Sequence, residues 1–249
     1  MSYPPIRKRW GQNFINDKNI INKIISTLNP NKDDVILEIG PGRGALTLPL
    51  SKISKKLIAV EIDPKLTEQL NQINLSNTHI INCDILKYDL KNLGNNYKII
   101  GNLPYYITTP IIFKFINFLS WSQMTIMVQK EVANRIIAIP NNKNYGRLSI
   151  MIQSYANVKK HFDISPNLFE PKPKVSSTLI SLEPKNNTIT NESLFYDIIK
   201  LAFQKRRKML KNSLSNYLNN DQIKLYGHLR PENISVDDFI KISDSCINI

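Results

Sequence analysis

Over residues 17–28, apolar side chains fall at Ile20, Ile21, Ile24, Ile25 and Leu28, the spacing of one helix face. The rhythm then changes. Residues 35–39 and 57–61 are short, almost continuous apolar runs of the kind buried strands show. Residues 78–82, 98–101 and 124–128 repeat that pattern. Helical stretches over residues 45–53, from Pro64 onward and over 110–119 separate these runs. Pro64 suits the first position of its helix, where no N–H is needed. Strands alternating with helices through short loops predict an α/β fold with a parallel, doubly wound sheet. Two later strands are expected over residues 158–164 and 175–182, flanking a proline-rich loop at 165–174.

The pattern changes again after the polar stretch Pro184-Lys185-Asn186-Asn187-Thr188. Beyond it only helical spacing is found: residues 195–217, 221–227 and 235–243. Ser235-Val236-Asp237-Asp238 resembles a capping box with Asp in the place of Glu. The expected organisation is a catalytic-size domain over 1–185, opened by a basic segment at 1–16, and a small all-helical domain over 186–249. No internal repeat is present.

Composition changes this picture mainly through charge. Lys and Arg number 33 against 20 Asp and Glu, a net +13 in 249 residues. Nucleic acid is the commonest partner of such a surface, with an anionic membrane as rival. The densest clusters are Arg7-Lys8-Arg9 and Lys205-Arg206-Arg207-Lys208 with Lys211; Lys172 and Lys174 flank the proline-rich loop. On a continuous helix Arg207 and Lys211 would share a face, as would Lys205 and Lys208. Like charges so placed repel, which points to phosphate as the neutralising partner, while a solvated charged face is the plainer reading. Residues 105–129 contain one charge, Lys114, but polar residues and Pro110 divide them into a buried helix and a buried strand, not a membrane span. Cys83 and Cys246 and three scattered histidines fit no metal or disulfide spacing, so no metal and a reducing, cytoplasmic setting are expected. No apolar signal segment follows the basic start.

Candidate chemistry sits at the strand ends. Gly101-Asn102-Leu103-Pro104-Tyr105-Tyr106 puts an amide, a constrained carbonyl and an aromatic face in one turn. Asn102 can accept an N–H through its side chain, Pro104 restricts the backbone of Leu103 before it, and Tyr105 offers a stacking face. A strand-to-helix turn with an Asn cap is the plainer reading. Glu38-Ile39-Gly40-Pro41-Gly42-Arg43-Gly44 is a glycine-rich turn after the first strand of the alternating series, without the spacing of a dinucleotide loop. Glu61 closes the next strand, where an acid can accept both ribose hydroxyls, and Asp84 follows the third, where one can accept from an adenine amine. Each of these residues could be a turn glycine or a helix-start acid. Together, Gly40, Gly42, Glu61, Asp84 and Asn102 at four consecutive strand ends describe an adenine-nucleoside pocket.

These segments resemble one family along nearly the whole chain: the ribosomal RNA small-subunit adenine dimethyltransferases of type A. Arg7-Lys8-Arg9-Trp10-Gly11-Gln12-Asn13-Phe14-Ile15, Glu38 to Gly44 and Gly101 to Tyr106 carry the resemblance. Tyr145-Gly146-Arg147-Leu148-Ser149, Phe169-Glu170-Pro171-Lys172-Pro173-Lys174-Val175 and Leu229-Arg230-Pro231-Glu232 add to it. The resemblance implies a Rossmann-like methyltransferase sheet and S-adenosylmethionine as cofactor. It places Asn13, Ile15, Gly40, Gly42, Glu61, Asp84 and Asn102 at the cofactor. Asn102, Leu103, Pro104 and Tyr105 would form the catalytic loop, with Phe169 on the other face of the target base. The implied substrate is a pair of adjacent adenosines in the hairpin loop near the 3′ end of small-subunit ribosomal RNA, met in a partly assembled subunit by a monomeric enzyme. Trp10, Ile15 and Ser176 depart from the family's usual Phe, Leu and Asp. The rival readings are the related antibiotic-resistance methyltransferases of large-subunit RNA, a DNA adenine methyltransferase, and a non-enzymatic RNA-binding factor.

Overall fold

The computed structural model describes residues 4–7, 10–186 and 189–246. Lys8 and Arg9 of the amino-terminal basic cluster lie outside the described residues.

A two-residue strand, β1 (Phe14–Ile15), comes first. Helix α1 (Lys18–Leu28) follows; Asp17 caps it by accepting from the Ile20 N–H, and Asn29 ends it in a left-handed conformation. Its apolar face buries Ile24, Ile25 and Leu28, each worth about 1.5–3 kcal/mol. The chain then alternates: β2 (Val35–Ile39), α2 (Thr47–Ser51), β3 (Lys56–Glu61), α3 (Pro64–Asn71), β4 (Thr78–Asn82), β5 (Tyr97–Asn102), α4 (Thr108–Ile116), β6 (Trp121–Gln129) and α5 (Lys130–Ile136). Helix α6 (Arg147–Gln153) precedes β7 (Ala156–Ile164), β8 (Phe169–Glu170) and β9 (Ser177–Pro184). Four helices close the chain: α7 (Glu192–Gln204), α8 (Leu210–Ser213), α9 (Asn220–Tyr226) and α10 (Val236–Ser245).

Seven strands form one sheet in the order β4-β3-β2-β5-β6-β9-β7. The β4-β3-β2-β5-β6 part is parallel, and β9 joins β6 antiparallel. The chain winds outward from β2 to β4, then returns to the other side of β2 as β5. The order therefore reverses between β2 and β5, and a crevice opens there at the carboxyl ends of the strands. The strands earn their places by burial: Ile36, Leu37, Leu57, Ile99, Ile100 and Ile126 are wholly inaccessible. Buried on both faces, they read as continuous apolar runs rather than alternating ones.

Contact density divides the chain into two compact units, Met1–Ala133 with Lys159–Pro184, and Asn134–Val158 with Lys185–Ile249. The second unit therefore takes in residues 134–158 as well as the carboxyl-terminal helices. Within it, Tyr145 is fully buried and donates its hydroxyl to the Ile234 carbonyl at 2.9 Å. Glu232 accepts from Arg206 at 2.8 Å, and its carbonyl takes the Asn141 N–H. The Tyr145 and Leu229–Glu232 motifs thus hold this unit together.

The structure corrects one sequence expectation outright. The helix expected over 195–217 stops at Gln204, and residues 205–209 are a turn. Lys205-Arg206-Arg207-Lys208 therefore do not present helix faces, and the like-charge stacking expected there does not arise. Lys and Arg are good helix formers, but here the Arg206 guanidinium is drawn to Glu232 and to the Lys143 carbonyl, partners far away in sequence. The cap at Ser235 forms as expected, accepting the Asp238 N–H at 3.1 Å. No helix of the described residues is long and apolar enough to cross a membrane; residues 105–129 become α4 and β6.

Candidate active site

The switch point between β2 and β5 opens into a cavity within the first unit. Gly40 and Gly42 line it from the turn after β2, Glu61 from the end of β3, Asp84 from the loop after β4, and Asn102 from the end of β5. Asn13 and Ile15 close it from the amino-terminal side, and Leu103 and Pro104 from the turn after Asn102. The five residues assigned from strand-end position alone share one cavity.

The β2 turn approaches it with bare backbone. Gly40 has φ +68°, and a side-chain carbon there would meet nothing nearer than the Asn102 carbonyl at 3.9 Å, so a cradle stands open in front of it. Gly42 is needed for a different reason. It has φ +58°, and a side-chain carbon would lie 2.9 Å from the Phe14 ring.

Three carboxyl groups face the cavity, and their surroundings set them apart. Glu61 is 5 % exposed and accepts the Gly42 N–H at 3.0 Å on one oxygen and the Asp63 N–H at 2.9 Å on the other. Burial pushes its pKa up, and those N–H bonds oppose the rise. The carboxylate, with four lone-pair sites, keeps acceptor capacity for a ligand hydroxyl. Asp84 takes the Leu86 N–H on Oδ1 at 2.9 Å. Glu38, which sequence reading treated only as part of the glycine turn, is the most buried of the three. Its Oε2 has no hydrogen-bond partner, and burial, with the Glu61 charge adding to it, raises its pKa to about 8. Glu38 is a neutral acid at pH 7 beside a hydrogen-bonded Glu61, two roles assigned by environment.

The mouth of the cavity is the turn after β5. The Asn102 side chain donates through Nδ2 to the Asn13 carbonyl at 2.7 Å, which fixes the amide and turns Oδ1 the other way. The Pro104 carbonyl is taken by the Ile107 N–H and the Thr108 hydroxyl, both at 3.1 Å. The Leu103 N–H goes to the Met127 carbonyl. The turn is left with two acceptors that no described residue satisfies, Asn102 Oδ1 and the Leu103 carbonyl. Tyr105 stands beside the cavity without lining it, while Tyr106 lines the rim and is 59 % exposed. Phe169 is 6 % exposed and packs in the core cluster with Ile15, its partner in the β1–β8 pairing.

That pairing and a set of polar contacts fasten the amino-terminal segment over the cavity. Gln12 donates to the buried Asp63 at 2.9 Å, with Arg7 at 3.7 Å from the same carboxylate. Arg43 bridges to Glu170 at 3.1 Å and lies 4.5 Å over the Phe14 ring. Asp63, Gln12 and Arg43 gave no chemical signal in the sequence, because their partners are distant in the chain. No cluster among the described residues could hold a metal ion.

The residues fit S-adenosylmethionine on two counts: the open cradle at Gly40, and acceptors at Glu61 and Asp84 where an adenosine presents hydroxyls and an amine. Comparison with known proteins agrees. Residues 5–246 match the pattern of the ribosomal RNA adenine dimethylase family. Ribosomal RNA small subunit methyltransferase A of Wigglesworthia glossinidia brevipalpis is 45 % identical, covering 98 % of either chain. A dimethyladenosine transferase from Plasmodium falciparum superposes with a TM-score of 0.81 at 26 % identity, covering 92 % of this chain and 95 % of that one. The 23S rRNA methyltransferase ErmE shares the fold, with a TM-score of 0.77 at 21 % identity over 94 % and 99 % of the two chains. With a cavity at the switch point, an amide-and-carbonyl turn at its mouth and a family match over residues 5–246, the chain belongs to the ribosomal RNA adenine dimethylase family.

Proposed function

We propose that this protein is an S-adenosylmethionine-dependent ribosomal RNA adenine dimethyltransferase, modifying N6 of two adjacent adenosines in the 3′-terminal hairpin loop of small-subunit ribosomal RNA during subunit assembly. One observation carries the mechanism: the Asn102 amide is held by the Asn13 carbonyl so that its oxygen and the Leu103 carbonyl remain as a pair of acceptors beside a nucleoside cavity.

Glu61 would hold the cofactor's ribose and Asp84 its adenine, with Gly40, Gly42, Asn13 and Ile15 forming the walls. When bound, the cofactor supplies a methyl group on a positively charged sulfur, which leaves readily. The chain's part is positioning. An adenine amine is a poor nucleophile, because its lone pair is shared with the ring. Asn102 and the Leu103 carbonyl accept its two hydrogens, favour a pyramidal nitrogen and stabilise the positive charge that it gains. The cavity lining holds no histidine, so no base of that kind takes part. Tyr105 stacks the base, worth about 1–3 kcal/mol. Phe169 is assigned the other face of the base by the resemblance alone, since it packs in the core cluster with Ile15 and does not line the cavity. After the first transfer the cationic nitrogen releases one proton to solvent water, one amine hydrogen remains, and one acceptor loses its bond. The target base must leave its stack, which costs least in an RNA loop.

We assign the exposed cations of Lys172 and Lys174, and of Lys205 to Lys208 with Lys211, to the RNA backbone. A labelled-donor assay tests the whole reading by comparing immature small subunits, large-subunit RNA and DNA. Label in adjacent small-subunit adenosines is expected; label only in large-subunit RNA or DNA would overturn it.

A further inference from the structure

We propose that Ser177 is a positioning residue for the base-stacking ring of Tyr105, a role that rests on the methyltransferase reading above. Tyr105 and Ser177 are 72 residues apart, yet the Tyr105 hydroxyl and the Ser177 Oγ lie 2.6 Å apart. Ser177 is wholly buried, opens β9 and faces Gln129 across the β6–β9 ladder. The neighbouring Ser176 carbonyl accepts the Lys130 N–H at 2.9 Å, so the point of attachment is itself fixed. Tyr105 starts from a short 3-10 turn at Tyr105–Ile107. Its ring is therefore held at both ends: by the backbone of the catalytic turn at one, and by a strand of the central sheet at the other. A phenol fixed in that way cannot swing about χ1, so the place of the ring is set before any base arrives, while rotation about the Cβ–Cγ axis leaves the bond intact.

Other hydroxyls of β9 do something else. Thr178 bonds to Asp163 at 2.8 Å and Ser181 to His161 at 2.8 Å, both partners on β7 within the same sheet. Ser177 reaches out of the sheet to the turn that follows Asn102. Burial raises the Tyr105 pKa, which keeps the ring a neutral phenol able to share this bond. Ser177 does not line the cavity, so removing its hydroxyl leaves the cofactor's walls as they were.

Ser177→Ala, Tyr105→Phe and the double variant, compared with the wild-type protein on immature small subunits, test the proposal. Either single variant should lower kcat by roughly three- to tenfold, the range of one lost hydrogen bond, with the cofactor's Kd in calorimetry unchanged. In the Tyr105→Phe background Ser177→Ala should cost nothing more, because the partner is already gone. A serine that merely fills the core would cost as much in both backgrounds, and that result overturns the proposal, as does full activity in Ser177→Ala. Should Ser177→Ala fail to fold, Tyr105→Phe alone decides: full activity with the hydroxyl gone overturns it. A wild-type protein that methylates no adenine sinks the underlying reading, whereas an active wild type with additive variants sinks only this inference.

Discussion

The two halves of the cavity are built on different principles. The half proposed to hold the cofactor uses side-chain carboxyls pinned by backbone N–H groups: Glu61, buried at the end of β3, by Gly42 and Asp63, and the partly exposed Asp84, in the loop after β4, by Leu86. The base half relies on a backbone carbonyl and one amide, and the amide is aimed by another carbonyl. The first half is a set of pinned carboxyls. The second is a set of acceptors whose value lies in direction. Binding and turnover should therefore separate on mutation.

Asn102→Ala should show the largest effect. Turnover should drop by about 10²–10³-fold or more in the labelled-donor assay, while the circular-dichroism spectrum stays that of the folded protein. Near-normal turnover would erase the distinction between the halves. Glu61→Ala should act on the other half: cofactor Kd rises by roughly 10–100-fold in calorimetry, from losing charged hydrogen bonds, with a far smaller change in kcat at saturation. A pure kcat defect there would reverse the assignment.

The pair Glu38 and Glu61 sharpens the comparison within the cofactor half. Glu38 binds its proton in the folded state up to about pH 8, whereas an unfolded chain releases it near 4.5. The folded state thus binds more protons across that window, so stability falls as pH rises through it and levels off above about pH 8. Urea melts should show this slope, and Glu38→Gln, which cannot ionise, should reduce it. An unchanged slope would mean that Glu38 is not the neutral acid of the pair. The smallest effect belongs to Arg206→Ala. Its half-exposed bridge to Glu232 is worth no more than about 1 kcal/mol in stability, while the salt dependence of RNA binding should flatten by roughly one phosphate contact.

What the sequence revealed follows the same divide. The strands were legible because a parallel sheet buried on both faces leaves nearly continuous apolar runs such as Val35–Ile39, broken only by Glu38. That Gly40, Glu61, Asp84 and Asn102 would meet in one cavity was legible because each stands at the carboxyl end of a parallel strand. The orientation of the Asn102 amide was not, because its partner, Asn13, lies 89 residues earlier in the chain. The β1–β8 pairing joins Ile15 to Phe169, and no local pattern announces it. The break at Lys205 was hidden for the same reason: the helical rhythm of residues 195–217 continues on paper, and only the distant Glu232 and Lys143 show why the chain turns.

The bond from Asn102 to the Asn13 carbonyl has a practical consequence. On the proposed reading the aim of that amide depends on Asn13, in a segment that bench work can disturb by trimming or extending the chain ahead of it. A preparation altered there would retain Glu61, Asp84 and Asn102 and would melt like an intact sheet protein, yet turn over poorly. On that reading Asn13 and the strand it leads into support the proposed catalytic turn, and an activity measurement calls for them intact.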